Sequence, residues 1–327
     1  VALQDWEKFK GVTNVEHDQY AQNLFYGFQA WLNWAAVNAG AFQNVNHSNA
    51  SGVLGGDFSR LRLVRDPRYT SGQVWETFRQ DLVWETGVQF TPQPTKMSGV
   101  FVGDTWYETA SETGIYSHYI DYPHGRIVFD SAISTSAVVK SDFAHRTMSF
   151  IDANQGWFQE LLFNSYKVDR SDFLAAGSGQ WDQLAETKRV LPVCGIELVQ
   201  NRTYSPYQLG GGQWVHQDVL MYICTETRRE RDQWMDILSM QNDRTFYLIN
   251  RKLMKEDAGY PHDLDYRGMT VSSPTQYPQM VAPTGQSGFR WTNAIMENTR
   301  AEVMETVNGW LYRGVVRSQM TVILPYI

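Results

Sequence analysis

The chain is poor in cysteine and in charge, and it has no long hydrophobic run. Among its 327 residues only Cys194 and Cys224 are cysteines, and they form no CxxC pair. That excludes a disulfide scaffold and a Cys-based zinc site. Two reduced thiols buried in strands are the expected state. The longest apolar-leaning stretch, Ala30 to Phe42, is interrupted by Asn33 and Asn38. It is far short of the ~20 residues a membrane-spanning helix needs, so no membrane is expected as a partner. The first residues, Val1 to Glu7, are too polar for the apolar core of a signal peptide. Folding in a reducing cytoplasm is the expectation. Charged residues make up 19% of the chain, and the net charge is −7. A basic face that grips phosphates is therefore not expected. An acidic lining past which DNA slides remains compatible with this balance.

Recognisable catalytic patterns are missing too. Seven histidines are scattered, none at HExxH spacing. His118 and His124 flank the turn at Asp121, where a hairpin surface is favoured over a metal site. Gly210-Gly211-Gly212 lacks the Lys-Ser/Thr of a phosphate-binding loop and leads into a strand. No GxSxG elbow occurs. Asp263 and Asp265 are two acids in a loop, which by itself specifies no chemistry. The expectation is a protein with no enzyme activity, no catalytic residues, no cofactor and no metal.

What is abundant is aromatic: 12 Trp, 17 Tyr and 16 Phe. This suits β-structure and large subunit interfaces, and equally a carbohydrate-binding surface. Residues 16–42 read as a helix, with Tyr20, Leu24, Phe25, Phe28, Trp31, Leu32 and Ala35 at spacings of three and four. Its broad aromatic face must bury itself in this chain's core or dock on a neighbouring subunit. Residues 44–60 read as a loop. Strand-like runs then follow at 74–79, 82–86, 99–102, 116–120, 126–129 and 137–139, separated by turn residues. The strongest hairpin among them is Ile120-Asp121-Tyr122-Pro123-His124-Gly125-Arg126-Ile127. A domain boundary is placed near residue 150. The fold class expected is α+β: an N-terminal helix and a sandwich- or barrel-like β-rich domain over 1–150, then an α/β domain over 151–327.

The second half has a clearer order. A strand at 190–199 leads to a glycine turn at 207–212. A strand at 217–225 follows, apolar on both faces and so expected to be covered on both sides. Thr227-x-x-Glu230 is a capping box, opening a helix with Trp234, Met235, Ile237 and Leu238 on its apolar stripe. A strand at 245–249 and a long loop at 257–288 come next. Asn308-Gly309 then joins two strands, 301–307 and 315–324. The segment 157–163 reads as either helix or strand.

Two segments carry a family resemblance. Tyr119 to Asp130, followed by Ser136 to Phe143, is similar to a Tyr-Pro-x-Gly-Arg-Val-x-Phe pattern of tailed-phage virion proteins. Leu191 to Glu197, then Gln208-Leu209-Gly210-Gly211, Val219 to Thr225 and Glu230 to Leu238, resembles tail-terminator and tail-completion proteins. In these a Pro-led strand, a Leu-Gly-Gly hairpin, a strand and an amphipathic helix follow in that order. The resemblance covers about half of residues 115–250. It implies a tail-terminator-like α/β domain and a homo-oligomeric ring, usually a hexamer. The ring would meet neighbouring neck, connector and tail proteins, and DNA would pass through its lumen without sequence-specific binding. The implied location is the virion neck or tail, assembled in the bacterial host cytoplasm. The region 1–150 has no counterpart in small terminators, so terminator, sheath collar and head-side adaptor all stay open. Candidate subunit-interface residues are Gln208, Leu209, Gly210, Gly211, Gly212, Tyr260, Tyr266 and Tyr277. The rival expectation is a secreted carbohydrate-binding or glycan-active β-protein, with Trp75, Trp84, Trp106 and Trp157 as stacking platforms. A further alternative is another virion part, in the tube or baseplate.

Overall fold

The computed structural model describes residues 20–48, 55–85, 88–109, 111–122, 124–163, 191–207, 212–248, 254–255, 260–261, 293–304 and 311–324. The architecture is α+β: an N-terminal helix, a β-rich region, and a long curled sheet. The first helix, α1, spans Tyr20–Asn38 and ends earlier than its apolar pattern suggests. The reason is local. Gly40 sits at φ +86°. Its N–H donates to Val37 O at 3.0 Å, and the Ala41 N–H donates to Ala36 O at 2.8 Å. That pair of bonds is a Schellman stop, and it needs a residue free to adopt positive φ. The chain then enters β1 (Phe42–Val45), which runs from the end of the expected helix into the start of the expected loop.

The β-rich region contains β2 (Arg62–Leu63), β3 (Val74–Glu76), β4 (Gly99–Val102), β5 (Thr105–Glu108), β6 (His118–Asp121), β7 (Arg126–Phe129), β8 (Val139–Lys140) and β9 (Phe143–Arg146). They form the sheets β2-β3-β7-β6, β5-β4-β8 and β1-β9. Trp75, Ile120, Ile127 and Phe129 from the first sheet share a core with Val100 and Val139 from the second. Over 82–85, the described part of the strand expected at 82–86, no regular strand forms. Only Leu82 bridges, to His145. Asp81 just before it is at φ +61°, which breaks the extended backbone, and the Glu85 side chain turns inward to Arg146.

The hairpin at 121–126 forms as its sequence suggests, with Asp121 paired to Arg126. Its turn is anchored on three sides. Tyr122 is fully buried and its hydroxyl donates to Met97 O at 2.8 Å. Asp121 Oδ2 lies 2.6 Å from His124 Nδ1. Arg126 Nε donates to Glu76 Oε2 at 3.2 Å.

A six-stranded sheet follows. It comprises β10 (Ser149–Asp152), β11 (Val193–Pro206), β12 (Gln213–Thr225), β13 (Arg244–Tyr247), β16 (Asn293–Val303) and β17 (Tyr312–Leu324). The short β14 (Met254–Lys255) and β15 (Tyr260–Pro261) pair with each other. The order is β10-β11-β12-β17-β16-β13, and only β10 and β11 run parallel. β12 is central, as expected. Helix α3 (Arg228–Ser239) packs on one face beside α1, and α2 (Gly156–Phe163) settles 157–163 as helix.

The sheet is bent by two bulges at the same level. β11 is irregular between Leu198 and Arg202, opposite Asp218. β16 is irregular between Glu297 and Arg300, opposite Ser318, with Asn298 at φ +53°. Bulges increase local twist and bend the strand that carries them. The sheet consequently curls until α1 touches both of its edges. Gln29 Nε2 donates to Phe150 O in β10 at 2.7 Å. At the other edge, Phe28 and Trp31 pack on Phe246 of β13, with ring centroids 5.2 and 5.6 Å apart. Much of the aromatic face of α1 is thereby buried in this chain's own core.

Among the described residues, the second face of β12 is covered at one end. There Phe158 and Leu162 of α2 pack with Val193 and Cys224. Gly195 gives Phe158 its room, since a Cβ would overlap the ring. Farther along, Trp214, His216, Asp218 and Leu220 are half-buried. The polar ones are tied down: Asp218 pairs with Arg317, and His216 Nδ1 lies 3.0 Å from Thr321 Oγ1. Cys194 and Cys224 are both buried and free. They lie in different cores, on opposite faces of adjacent strands, so they cannot form a disulfide.

Candidate functional site

Two surface features stand out at opposite ends of β11. The first is the tip of the β11–β12 hairpin. Pro206 pairs with Gln213, and the Tyr207 N–H donates to Gly212 O at 3.0 Å. Tyr204 and Tyr207 are 55% and 37% exposed. Tyr207 meets Trp214 edge-on, with ring centroids 5.1 Å apart. The hairpin reaches past the start of α1, where Arg202 lies over the Tyr20 ring at 4.9 Å. Beyond that contact no described helix covers the aromatic side chains. Of the interface residues expected from sequence, Gly212 is described; it is buried at φ +130°, a backbone shape that suits glycine. Gln208, Leu209, Gly210 and Gly211 lie outside the described residues, as do Tyr266 and Tyr277. Tyr260 lies in β15, opposite Lys255 and apart from the hairpin in the strand order.

The second feature is a groove of about 490 Å³ between the end of α1 and the outer side of α3. Ala35, Ala36, Ala39, Gly40 and Ala41 leave the space, because their side chains are too short to fill it. Trp31, Trp234, Phe150 and Pro192 add apolar wall. Ile237, expected in the buried stripe of α3, is 38% exposed and lines this groove. Glu230 is the one ionisable lining residue among the described residues. It sits in the cap of α3, where its N–H donates to Thr227 Oγ1 at 3.2 Å and its carboxylate accepts from that hydroxyl at 3.0 Å. Sequence reasoning missed the groove. Its signal was the run of small residues from Ala35 to Ala41.

The titratable groups serve the scaffold. Arg146 Nη2 donates to both Glu85 oxygens, at 2.5 and 2.7 Å, and its Nη1 donates to Asn33 O of α1 at 3.3 Å. Glu76 is buried, and burial raises its pKa against the pull of Gln80 and Arg126. His118 is buried between Thr109 Oγ1 and Tyr116 O, while His124 sits with Asp121, so the two histidines do not converge. His145 is buried with its Nδ1 on Arg146 O and its Nε2 without a hydrogen-bond partner. Burial, and secondarily the Arg79 charge, lower its pKa to about 4. Among the described residues no group of three or more His, Cys, Asp or Glu is arranged to hold a metal. No described helix is long and apolar enough to cross a membrane.

The tryptophans expected as stacking platforms are dispersed. Trp75 is in the core, donating its indole N–H to Gly72 O at 3.0 Å, which corrects that expectation. Trp84 is half-buried. Trp106 is 38% exposed and lies over Gly99. The Trp157 side chain lies outside what the structure describes. No protein-family model matches the chain, and no curated protein matches it.

Proposed function

We propose that the protein is a non-enzymatic structural component that assembles with copies of itself into a ring, at the neck or tail-completion position of a tailed-phage virion. The observation that carries this reading is the pairing of exposed aromatics at the hairpin tip with an open apolar groove at the far end of the same strand. The order of elements from Leu191 to Leu238 supports it further. A Pro-led β11, a glycine turn, β12 and a capped α3 follow one another as in the terminator-like pattern. The buried ion pairs Arg146–Glu85 and Arg126–Glu76 fix the scaffold, which suits a part that holds position. A net charge of −7 offers no broad basic grip on DNA, consistent with passage through a lumen. Neck, connector and tail proteins are the partners this role requires. Of the tryptophans that the glycan-binding rival names, Trp106 is the exposed one among the described side chains.

Mass photometry of the purified protein across a concentration series tests the reading. A closed oligomer of one stoichiometry, with a hexamer as the reference case, is expected. A monodisperse monomer at tens of micromolar would overturn it.

A further inference from the structure

The outer face of the sheet β5-β4-β8 has no part in the assembly reading. Val100 and Val139 point from this sheet into the core. Side chains directly opposite one another on paired strands share a face. Phe101 pairs with Trp106 on β5 and with Lys140 on β8, and Lys140 bridges in turn to Arg60. Trp106, Phe101, Lys140 and Arg60 therefore stand in one row across the outer face. Three strand spacings of ~4.8 Å make that row about 14 Å long.

One end of the row is aromatic. Trp106 lies across Gly99, where a Cβ would fall 2.6 Å from its six-membered ring. The missing Cβ lets the exposed indole settle on the strand. It meets Phe101 with ring centroids 4.7 Å apart and makes no other ring contact among the described residues. Phe101 is half-buried and packs also on His47, at 4.1 Å. His47 Nδ1 lies 2.8 Å from Asp142 Oδ1, so in the neutral ring the proton sits on Nδ1. Nε2 makes no hydrogen bond among the described residues and keeps its lone pair as an acceptor.

The other end is cationic. The Leu61 N–H donates to Val139 O at 2.9 Å, and the Ser141 N–H donates to Ser59 O at 3.0 Å. These bonds flank Arg60 and Lys140 and make them a non-hydrogen-bonded pair, the kind whose side chains stand closer together. Like charges placed so repel. Neither makes an ion pair among the described residues. Asp142, two residues from Lys140, is committed to His47, which donates to it from its backbone N–H and its ring. An anion between the two cations would relieve the repulsion.

We propose that this row binds an acidic oligosaccharide. One sugar ring lays its C–H face on Trp106, whose π-face is electron-rich. A carboxylate or sulfate group farther along the saccharide lies between Lys140 and Arg60, and His47 Nε2 accepts from a hydroxyl. A polynucleotide suits the row less well. It calls for successive stacking faces and a basic track. The row has one open ring and two cations, with exposed Asp104 and Glu108 beside the tryptophan. A net charge of −7 points the same way. The inference stands apart from the assembly reading, because every residue of the row lies in one subunit.

Isothermal titration calorimetry of the full chain tests it. The probes are an oligogalacturonate, a sialylated oligosaccharide and a sulfated oligosaccharide, with a neutral cello-oligosaccharide and an oligothymidylate as comparisons. At least one acidic saccharide is expected to bind, roughly tenfold or more tighter than the neutral one. Trp106→Ala should weaken that binding roughly tenfold or more, while Trp106→Phe keeps most of it. Arg60→Gln/Lys140→Gln, or about 0.5 M salt, should remove the preference for the acidic chain. Far-UV circular dichroism checks the folding of each variant. The double variant should melt no lower than the wild type, since it loses a repulsion. No binding to any acidic saccharide overturns the proposal, as does unchanged affinity in folded Trp106→Ala. A preference that survives the loss of both cations, a lower melt of the double variant, or tighter binding of oligothymidylate overturns it too.

Discussion

Removing the Arg146 side chain is the most informative single perturbation of the scaffold. Arg146 stands on β9 with its side chain 2% exposed, and its partner Glu85 is equally buried. The guanidinium bridges three pieces of chain: the 81–85 segment through Glu85 and Asp81, β9 itself, and the Asn33 carbonyl of α1. It is one tie between the β-rich region and α1, beside the packing of Val37 on Val83, Val88 and Ala144. Arg146→Met leaves the Glu85 carboxylate buried without its counter-charge. Breaking a buried pair in this way costs about 3–5 kcal/mol, because the remaining charge keeps its desolvation penalty and loses its partner. With a urea m-value of about 3 kcal/mol/M, the unfolding midpoint drops by roughly 1–2 M. Tryptophan fluorescence and far-UV circular dichroism, required to give coincident transitions, measure the shift. The double variant Glu85→Gln/Arg146→Met has no stranded charge and is expected to recover most of the loss. A single variant within about 1 kcal/mol of the wild type would refute the reasoning, as would a double variant no better than the single one.

Other outcomes follow from the same structure. His145 is held neutral in the fold with a pKa near 4, against about 6.5 when unfolded, so the unfolded chain binds the extra proton between those values. Stability is therefore expected to fall by roughly 3 kcal/mol from this group as pH drops from 6.5 to 4, and His145→Phe should remove that component from the pH profile of urea midpoints. Gly125 sits at φ +64°, where a Cβ would lie 2.7 Å from the Arg79 carbonyl. Gly125→Ala should lower stability by about 2 kcal/mol or more in thermal melts, and an unchanged melt would contradict the turn geometry. Burial pushes the Cys224 thiol up to about 12 and raises Cys194 further. A thiol reagent should label neither in the native protein and both after denaturation; rapid native labelling would contradict the packing.

Local chemistry was legible in the sequence wherever neighbours in the chain decide the outcome. The turn at Asp121–Arg126, the capping box at Thr227 and Glu230, and the strands β12 and β17 all formed as their residues suggest. Elements decided by distant partners were not legible. β9 and β10 lack clean alternation; they are strands because β1 and β11 pair with them. The owner of the aromatic face of α1 emerged only when two bulges curled the sheet around it. The groove needs Ala36 and Ile237 side by side, and nothing local to either residue announces the other. Trp75 and Trp106 look alike in sequence, yet one is core and the other is surface.

Cryo-EM class averages of the purified protein at micromolar concentration test the central claim most directly. Closed rings of a single rotational symmetry are the predicted result. A field of separate subunits would contradict the account.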